Sequence, residues 1–319
     1  MLIPDGLLRW ISTRGDNLPL VGLLTFGMPK MLVRGIYQGN AGKRLWGDKK
    51  ACVTLSFDCD YPEDVEDIPS ILKMLADHRL KASFAAVGHW VDKFPRPHEM
   101  VVEQGHELMN HTWSHPDNEL LNPGRKFRYI SSAEKFEEIE RCHEVCRRLL
   151  GVELDGLRIP HFKHLFSEDI YPLLKRAGYA YSSSTWLTNT TTRGIPFRAA
   201  EGIVEFPLAT CPLHPFTVFD TWHSLNATRL SHRIMHRGPA AYLRLFAELI
   251  AIGKATGSYI NIYMDPLDVK KIPGFKAMLE LLSDPELLVT TYGEYLTRGL
   301  PIVAPAQAQG LPAVVTARA

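Results

Sequence analysis

Two aspartates stand two residues apart in Ser56-Phe57-Asp58-Cys59-Asp60-Tyr61-Pro62, directly after an apolar run. In extended chain, positions i and i+2 share a face, so Asp58 and Asp60 point the same way. Carboxylates held that close repel unless a cation binds at least one of them. The alternative is a solvated acidic loop, the reading given to Glu63, Asp64, Glu66 and Asp67 just beyond. His111 and His115 in Asn110-His111-Thr112-Trp113-Ser114-His115-Pro116-Asp117 are four apart. On a helical turn that spacing puts both imidazoles on one side, where they can grip one ion. Two histidines and a carboxylate are a common ligand set for a catalytic divalent metal, with positions left open for water and substrate. Arg158, in Gly156-Leu157-Arg158-Ile159-Pro160, would hold a neighbouring carboxylate ionised, or else close a structural salt bridge.

Elements of alternating type must position these groups. Residues 51–57 are apolar and β-branched, the mark of a buried strand. A helical spacing of apolar residues over 65–78 follows, then a strand at 81–87, a helix at 90–104 and a short strand at 105–111. A long helix is expected at 131–150, with Ser132 as N-cap and Gly151 as its stop. Further strands are expected near 155–159, 179–184, 203–208, 258–264 and 287–291, with helices at 167–177, 239–255 and 274–282. Repeated strand–helix units imply a mostly parallel sheet. Their number suits an α/β fold, a closed or distorted (β/α) barrel with seven or eight strands, better than an open sheet. Chemistry in such folds sits at the C-terminal ends of strands, where all three motifs fall.

Residues 1–50 read as an N-terminal helical extension, 51–300 as the barrel domain and 301–319 as a flexible tail rich in Pro, Ala and Gly. The formal net charge of +1 offers no pull toward nucleic acid, and no basic–aromatic stripe is present. Five scattered cysteines, an odd number, argue against a disulfide framework and fit a reducing compartment. Cys142 and Cys146 would share one side of a helix, as buried thiols. The opening residues lack the pattern of a secretory signal, and the apolar stretch 18–33 is broken by Pro29 and Lys30. It is also shorter than the roughly 20 residues a membrane span needs. The expected location is the cytoplasm. Residues 1–50 would either cap the barrel or lie on the inner membrane face, with Arg9, Arg14, Lys30, Arg34, Lys43 and Arg44 toward lipid headgroups.

The three motifs occur in the order and spacing of the polysaccharide deacetylase, or NodB-homology, family of carbohydrate esterases, which the chain resembles over roughly residues 50–298. The resemblance implies a distorted (β/α) barrel and removal of an N-acyl group, acetyl or formyl, from an amino sugar or glycolipid. It implies Asp58 as the general base, Asp60, His111 and His115 as ligands of a divalent metal, most simply zinc, and Arg158 as the group orienting Asp58. Backbone near His161 would help hold the oxyanion. Trp113, Trp186 and Phe162 are candidates for substrate contact, as is Trp90. Three departures stand out. Cys59 separates aspartates that many members have adjacent, a spacing that one branch of the family shares. Ser182 stands where an aspartate is common. Asp265-Pro266 replaces the usual His-Pro, so the acid for the leaving group would be Asp265, raised in pKa by apolar surroundings, or one of His161, His164 and His214. Two other classes remain open: an amidohydrolase acting on a small non-sugar amide, and a carbohydrate-binding protein without catalysis.

Overall fold

The computed structural model describes residues 29–160, 169–190, 192–213, 215, 218–222 and 239–304. Nine strands lie in one sheet: β1 (Ala51–Cys59), β2 (Ser83–Ala86), β3 (Glu107–Asn110), β4 (Gly156–Leu157), β5 (Tyr181–Ser182), β6 (Phe197–Arg198), β7 (Val204–Glu205), β8 (Tyr259–Met264) and β9 (Leu287–Val289). Their order is β6-β7-β5-β4-β3-β2-β1-β8, with β9 pairing the start of β1. All pairs are parallel except β6–β7, which is antiparallel and was not foreseen from the sequence. β1 is buried along its whole length, as its unbroken apolar run requires of a strand covered on both faces.

The sheet curls but does not close as an eight-stranded barrel would. Among the described residues its end strands β6 and β8 do not pair. Past β7, the chain reaches β8 through the Ala209 N–H, which donates to Asn261 O at 2.8 Å, and the Asn261 side chain, which donates to Phe206 O at 2.9 Å. The result is a curled half-barrel. The expected α/β class with strand–helix repeats holds, while full closure does not, because the strands on this side are only two residues long.

The helices are α1 (Pro29–Tyr37), α2 (Pro62–Asp77), α3 (Gly88–Lys93), α4 (Pro95–Glu103), α5 (Ser132–Leu150), α6 (Ile170–Arg176), α7 (Pro239–Thr256), α8 (Pro266–Val269), α9 (Phe275–Leu282) and α10 (Tyr292–Thr297). The single helix expected over 90–104 is two. Phe94 leaves helical geometry before Pro95, whose ring forbids the α conformation in the residue ahead of it. The N-cap of α5 is Ser131, not Ser132. The Ser131 hydroxyl accepts from the Glu134 N–H at 3.3 Å, and the Glu134 carboxylate accepts from the Ser131 N–H at 2.8 Å. Gly151 ends α5 at φ 68°, a conformation that favours glycine.

Residues 29–50 pack against the sheet domain. Val33, Ile36 and Tyr37 are fully buried, Lys30 pairs with Glu248 of α7 at 2.9 Å, and Asn40 donates to Arg193 O and Ser258 Oγ. The first part of the expected tail is also docked, since Val303 pairs with the Pro196–Arg198 edge. Residues 1–28 and 305–319, with Arg9 and Arg14, lie outside the described residues. No helix among the described residues is long and apolar enough to cross a membrane. All five cysteines are buried and unbridged.

Candidate active site

Asp58, next to last in β1, is 2% exposed; Arg158, just past β4, is fully buried beside it. A guanidinium has five N–H donors in a planar fork, and burial makes each lost bond costly. Here all five are met. Nη1 donates to Asp58 Oδ1 at 2.5 Å and Ser56 Oγ at 2.8 Å, Nη2 to Ser183 Oγ at 2.9 Å and Tyr292 OH at 2.5 Å, and Nε to Ser183 O at 3.1 Å. The fork therefore has one orientation, and it aims at Asp58. Burial pushes the Asp58 carboxyl above the ordinary carboxylate range; the positive charges of Arg158 and His111 pull it back without cancelling the rise. A carboxylate so raised is a better proton acceptor than a free one.

Two residues on, Asp60 turns toward the histidines. Its Oδ1 lies 3.0 Å from His111 Nε2 and 3.4 Å from His115 Nε2. One ligand atom from each of the three residues falls within 4.8 Å of the others. Around a tetrahedral ion with bonds of about 2.0–2.1 Å, ligand atoms stand roughly 3.3 Å apart, so this donor set fits a divalent metal. The tautomer fits as well. His111 Nδ1 lies 2.8 Å from Arg158 O, which can only accept, so the proton sits on Nδ1 and Nε2 offers its lone pair to the cluster. Burial disfavours the His111 cation, but the hydrogen bond and charge of Asp60 with the charge of Asp58 outweigh it and raise the imidazole pKa.

The histidines do not meet on a helical turn, as their spacing suggested. They meet on a loop in which Thr112 has φ 68° and His115 φ 50°. Left-handed backbone at non-glycine residues is uncommon and tends to gather at functional sites. Local bonds hold it: the Thr112 N–H donates to Asn110 Oδ1 at 2.7 Å, and the His115 N–H donates to Thr112 Oγ1 at 3.1 Å.

Asp58, Asp60, His111, His115 and Asp265 line one cleft of about 380 Å³. Asp265 follows β8 as the N-cap of α8. The Thr221 hydroxyl donates to Asp265 Oδ2 at 2.8 Å and accepts from the Asp265 N–H at 2.8 Å, which fixes the side chain. Burial, with the negative charges of Asp60, Asp64, Asp220 and Asp58, pushes the Asp265 carboxyl well above its ordinary value. Asp64 is not a solvated loop residue: it is 1% exposed and accepts the N–H groups of Tyr61 and Leu267.

Neither Trp113 nor Trp186 lines this cleft. Arg141 stacks over Trp113 at 4.3 Å, and Trp186 packs against the core. Trp90 is buried. Tyr61 and Trp222 line the cleft instead, with exposures of 38% and 44%, and no sequence pattern separated them from other aromatics. Asp220 and Tyr263, which share a hydrogen bond, were missed likewise. His161, Phe162, His164 and His214 lie outside the described residues.

Residues 47–182 match the model of the family described as polysaccharide deacetylase. That stretch, under half of the chain, is similar to the polysaccharide deacetylase family. It holds Asp58, Asp60, His111, His115 and Arg158, whereas Asp220, Tyr263 and Asp265 of the same cleft come from beyond it. A chitooligosaccharide deacetylase of Sinorhizobium fredii is 43% identical over 131 residues, 40% of this chain and 54% of that protein. A peptidoglycan-N-acetylglucosamine deacetylase of Bacillus cereus is 35% identical over 112 residues, 35% of this chain and 37% of that protein. The chain thus spans about half or less of the length of these relatives. A Mycobacterium smegmatis crystal structure assigned to the polysaccharide deacetylases superposes over 84% of this chain and 97% of its own, with a TM-score of 0.64 at 17% identity. A family 4 carbohydrate esterase from Streptomyces lividans, solved with acetate, gives 0.51 at 14% identity over 81% of this chain and all of its own. These likenesses establish the polysaccharide deacetylase fold.

Proposed function

We propose that the chain is a metal-dependent hydrolase that removes an N-acyl group, acetyl or formyl, from an amino sugar. The observation that carries this reading is the Asp60–His111–His115 cluster beside an arginine-held Asp58 in one cleft. The relatives named for chitooligosaccharides and peptidoglycan N-acetylglucosamine support an N-acetylated saccharide as substrate. Asp60, His111 and His115 would hold the ion, and zinc suits two imidazoles and a carboxylate.

A divalent ion held there supplies Lewis acidity, drawing electron density from the substrate carbonyl and easing loss of a proton from water. The remaining work belongs to side chains. Asp58 takes the proton of the attacking water, and Arg158 keeps its carboxylate aimed and ionised. His111 keeps its Nδ1 proton on Arg158 O and so cannot turn away from Asp60. Asp265, whose buried and acidic surroundings disfavour the anion and raise its carboxyl pKa, gives a proton to the departing amine nitrogen. Tyr61 and Trp222 offer aromatic faces at the cleft to a sugar ring.

The test is release of acetate or formate from N-acyl sugars presented free, as oligosaccharides, nucleotide-linked and lipid-linked, with simple amides and ureides as controls. Turnover of at least one sugar class and none of the controls is expected. Turnover confined to the simple amides would replace this reading with a small-amide hydrolase.

A further inference from the structure

One backbone carbonyl joins the loops that carry the metal-ligand candidates. Asp60 O accepts from Asn118 Nδ2 at 2.6 Å and from Trp90 Nε1 at 2.9 Å, so both its lone pairs are used. Asn118 is 1% exposed. Its own N–H donates to His115 O at 2.8 Å, and its Oδ1 accepts from the Leu120 N–H at 2.8 Å. Its amide therefore reaches from the turn after His115 to the residue that carries the Asp60 carboxylate. Trp90 makes the matching tie from the other end of the loop. It lies on α3, whose Gly88 and His89 N–H groups donate to Thr112 O at 3.0 Å and Trp113 O at 2.8 Å.

The loop so clamped has three non-glycine residues at positive φ within six positions: Thr112, His115 and Asp117. Such backbone persists only where its surroundings over-determine it. A buried primary amide is likewise costly unless its groups are paired. Asn118 meets both conditions: its Nδ2 bonds across to the Asp60 loop, and its Oδ1 bonds within its own.

We propose that Asn118 is a positioning residue for the metal centre, setting the Asp60 carboxylate against the His115 imidazole through the Asp60 carbonyl. The proposal rests on the metal-site reading above. Groups that orient ligands from behind are typically worth about 10–100-fold in metal affinity.

The experiment is competition of the full chain with a chromophoric chelator for zinc, together with the visible absorption spectrum of the cobalt(II) form, for wild type and Asn118→Ala. The variant is expected to keep its circular dichroism, to lose about 10–100-fold in zinc affinity and to show shifted cobalt bands. Should it fail to fold, Trp90→Phe removes the other donor to the same carbonyl and is read in the same way. A folded variant with zinc affinity within about twofold of wild type and an unchanged cobalt spectrum overturns the proposal and leaves the metal site standing. Wild-type protein that takes up neither ion overturns both.

Discussion

The two carboxyls given acid and base roles share a cleft but differ in what surrounds them. Asp58 faces Arg158, a cation with no spare donor and one orientation. Asp265 faces Asp60, Asp64, Asp220 and Asp58, with Tyr263 and Lys271 in the same cleft, and takes its hydrogen bonds from Thr221. Such paired environments separate a base from an acid. The sign of the pH dependence follows. Asp265 has a raised pKa and is needed protonated, so activity is lost as pH rises through that raised value. Asp265→Asn has no proton there to lose. It should lower kcat by roughly 10²–10⁴-fold and remove that alkaline limb, measured as kcat against pH. An alkaline limb unchanged in the variant would take the acid role from Asp265. At this scale residue types and spacing named Asp58, Asp60, His111, His115 and Arg158 as candidates, and the family resemblance added Asp265. Asn118, Tyr292 and Thr221 were not named, because each matters only through a partner brought near by folding. Tyr292 meets Arg158 across 134 residues. Trp113 and Trp186 fall outside the cleft for another reason, since a tryptophan on a cleft wall and one in the core look alike in sequence.

Strands placed the chemistry and loops shaped it. Each candidate motif follows the C-terminal end of a parallel strand: Asp60 after β1, His111 after β3, Arg158 after β4 and Asp265 after β8. Strand positions were legible because apolar, β-branched runs have few other uses. The loop geometry was not. A four-residue spacing of histidines suits a helical turn, yet Pro116 and the bonds from Asn110 and Thr112 hold a left-handed loop. Helix ends erred by one residue where two serines stood together. Ser131 caps α5, and Ser131→Ala should cost about 1 kcal/mol of stability, read as a lower urea midpoint with kcat unchanged. An unchanged midpoint would mean that the cap contributes nothing measurable.

Across the whole molecule, one domain gathers the cleft from residues far apart in the chain. The matched family stretch ends at residue 182, and the wall bearing Asp220, Tyr263 and Asp265 comes after it. The proposed metal ligands and base thus sit in the stretch that matches the family model, while the proposed acid sits where the chain departs from the histidine that the resemblance leads one to expect. The alternation of strands and helices gave the class of fold, but not the open side of the half-barrel, which depends on how few residues pair past β4. Metal dependence is the central claim, and it has a direct measurement: acetate release from N-acetylated chitooligosaccharides by protein as purified, stripped with chelator, and restored with zinc or cobalt, with Asp58→Asn alongside. The account predicts that stripping abolishes release, that metal restores it, and that Asp58→Asn stays inactive with metal bound. Release that continues undiminished in protein shown to be free of metal would contradict it.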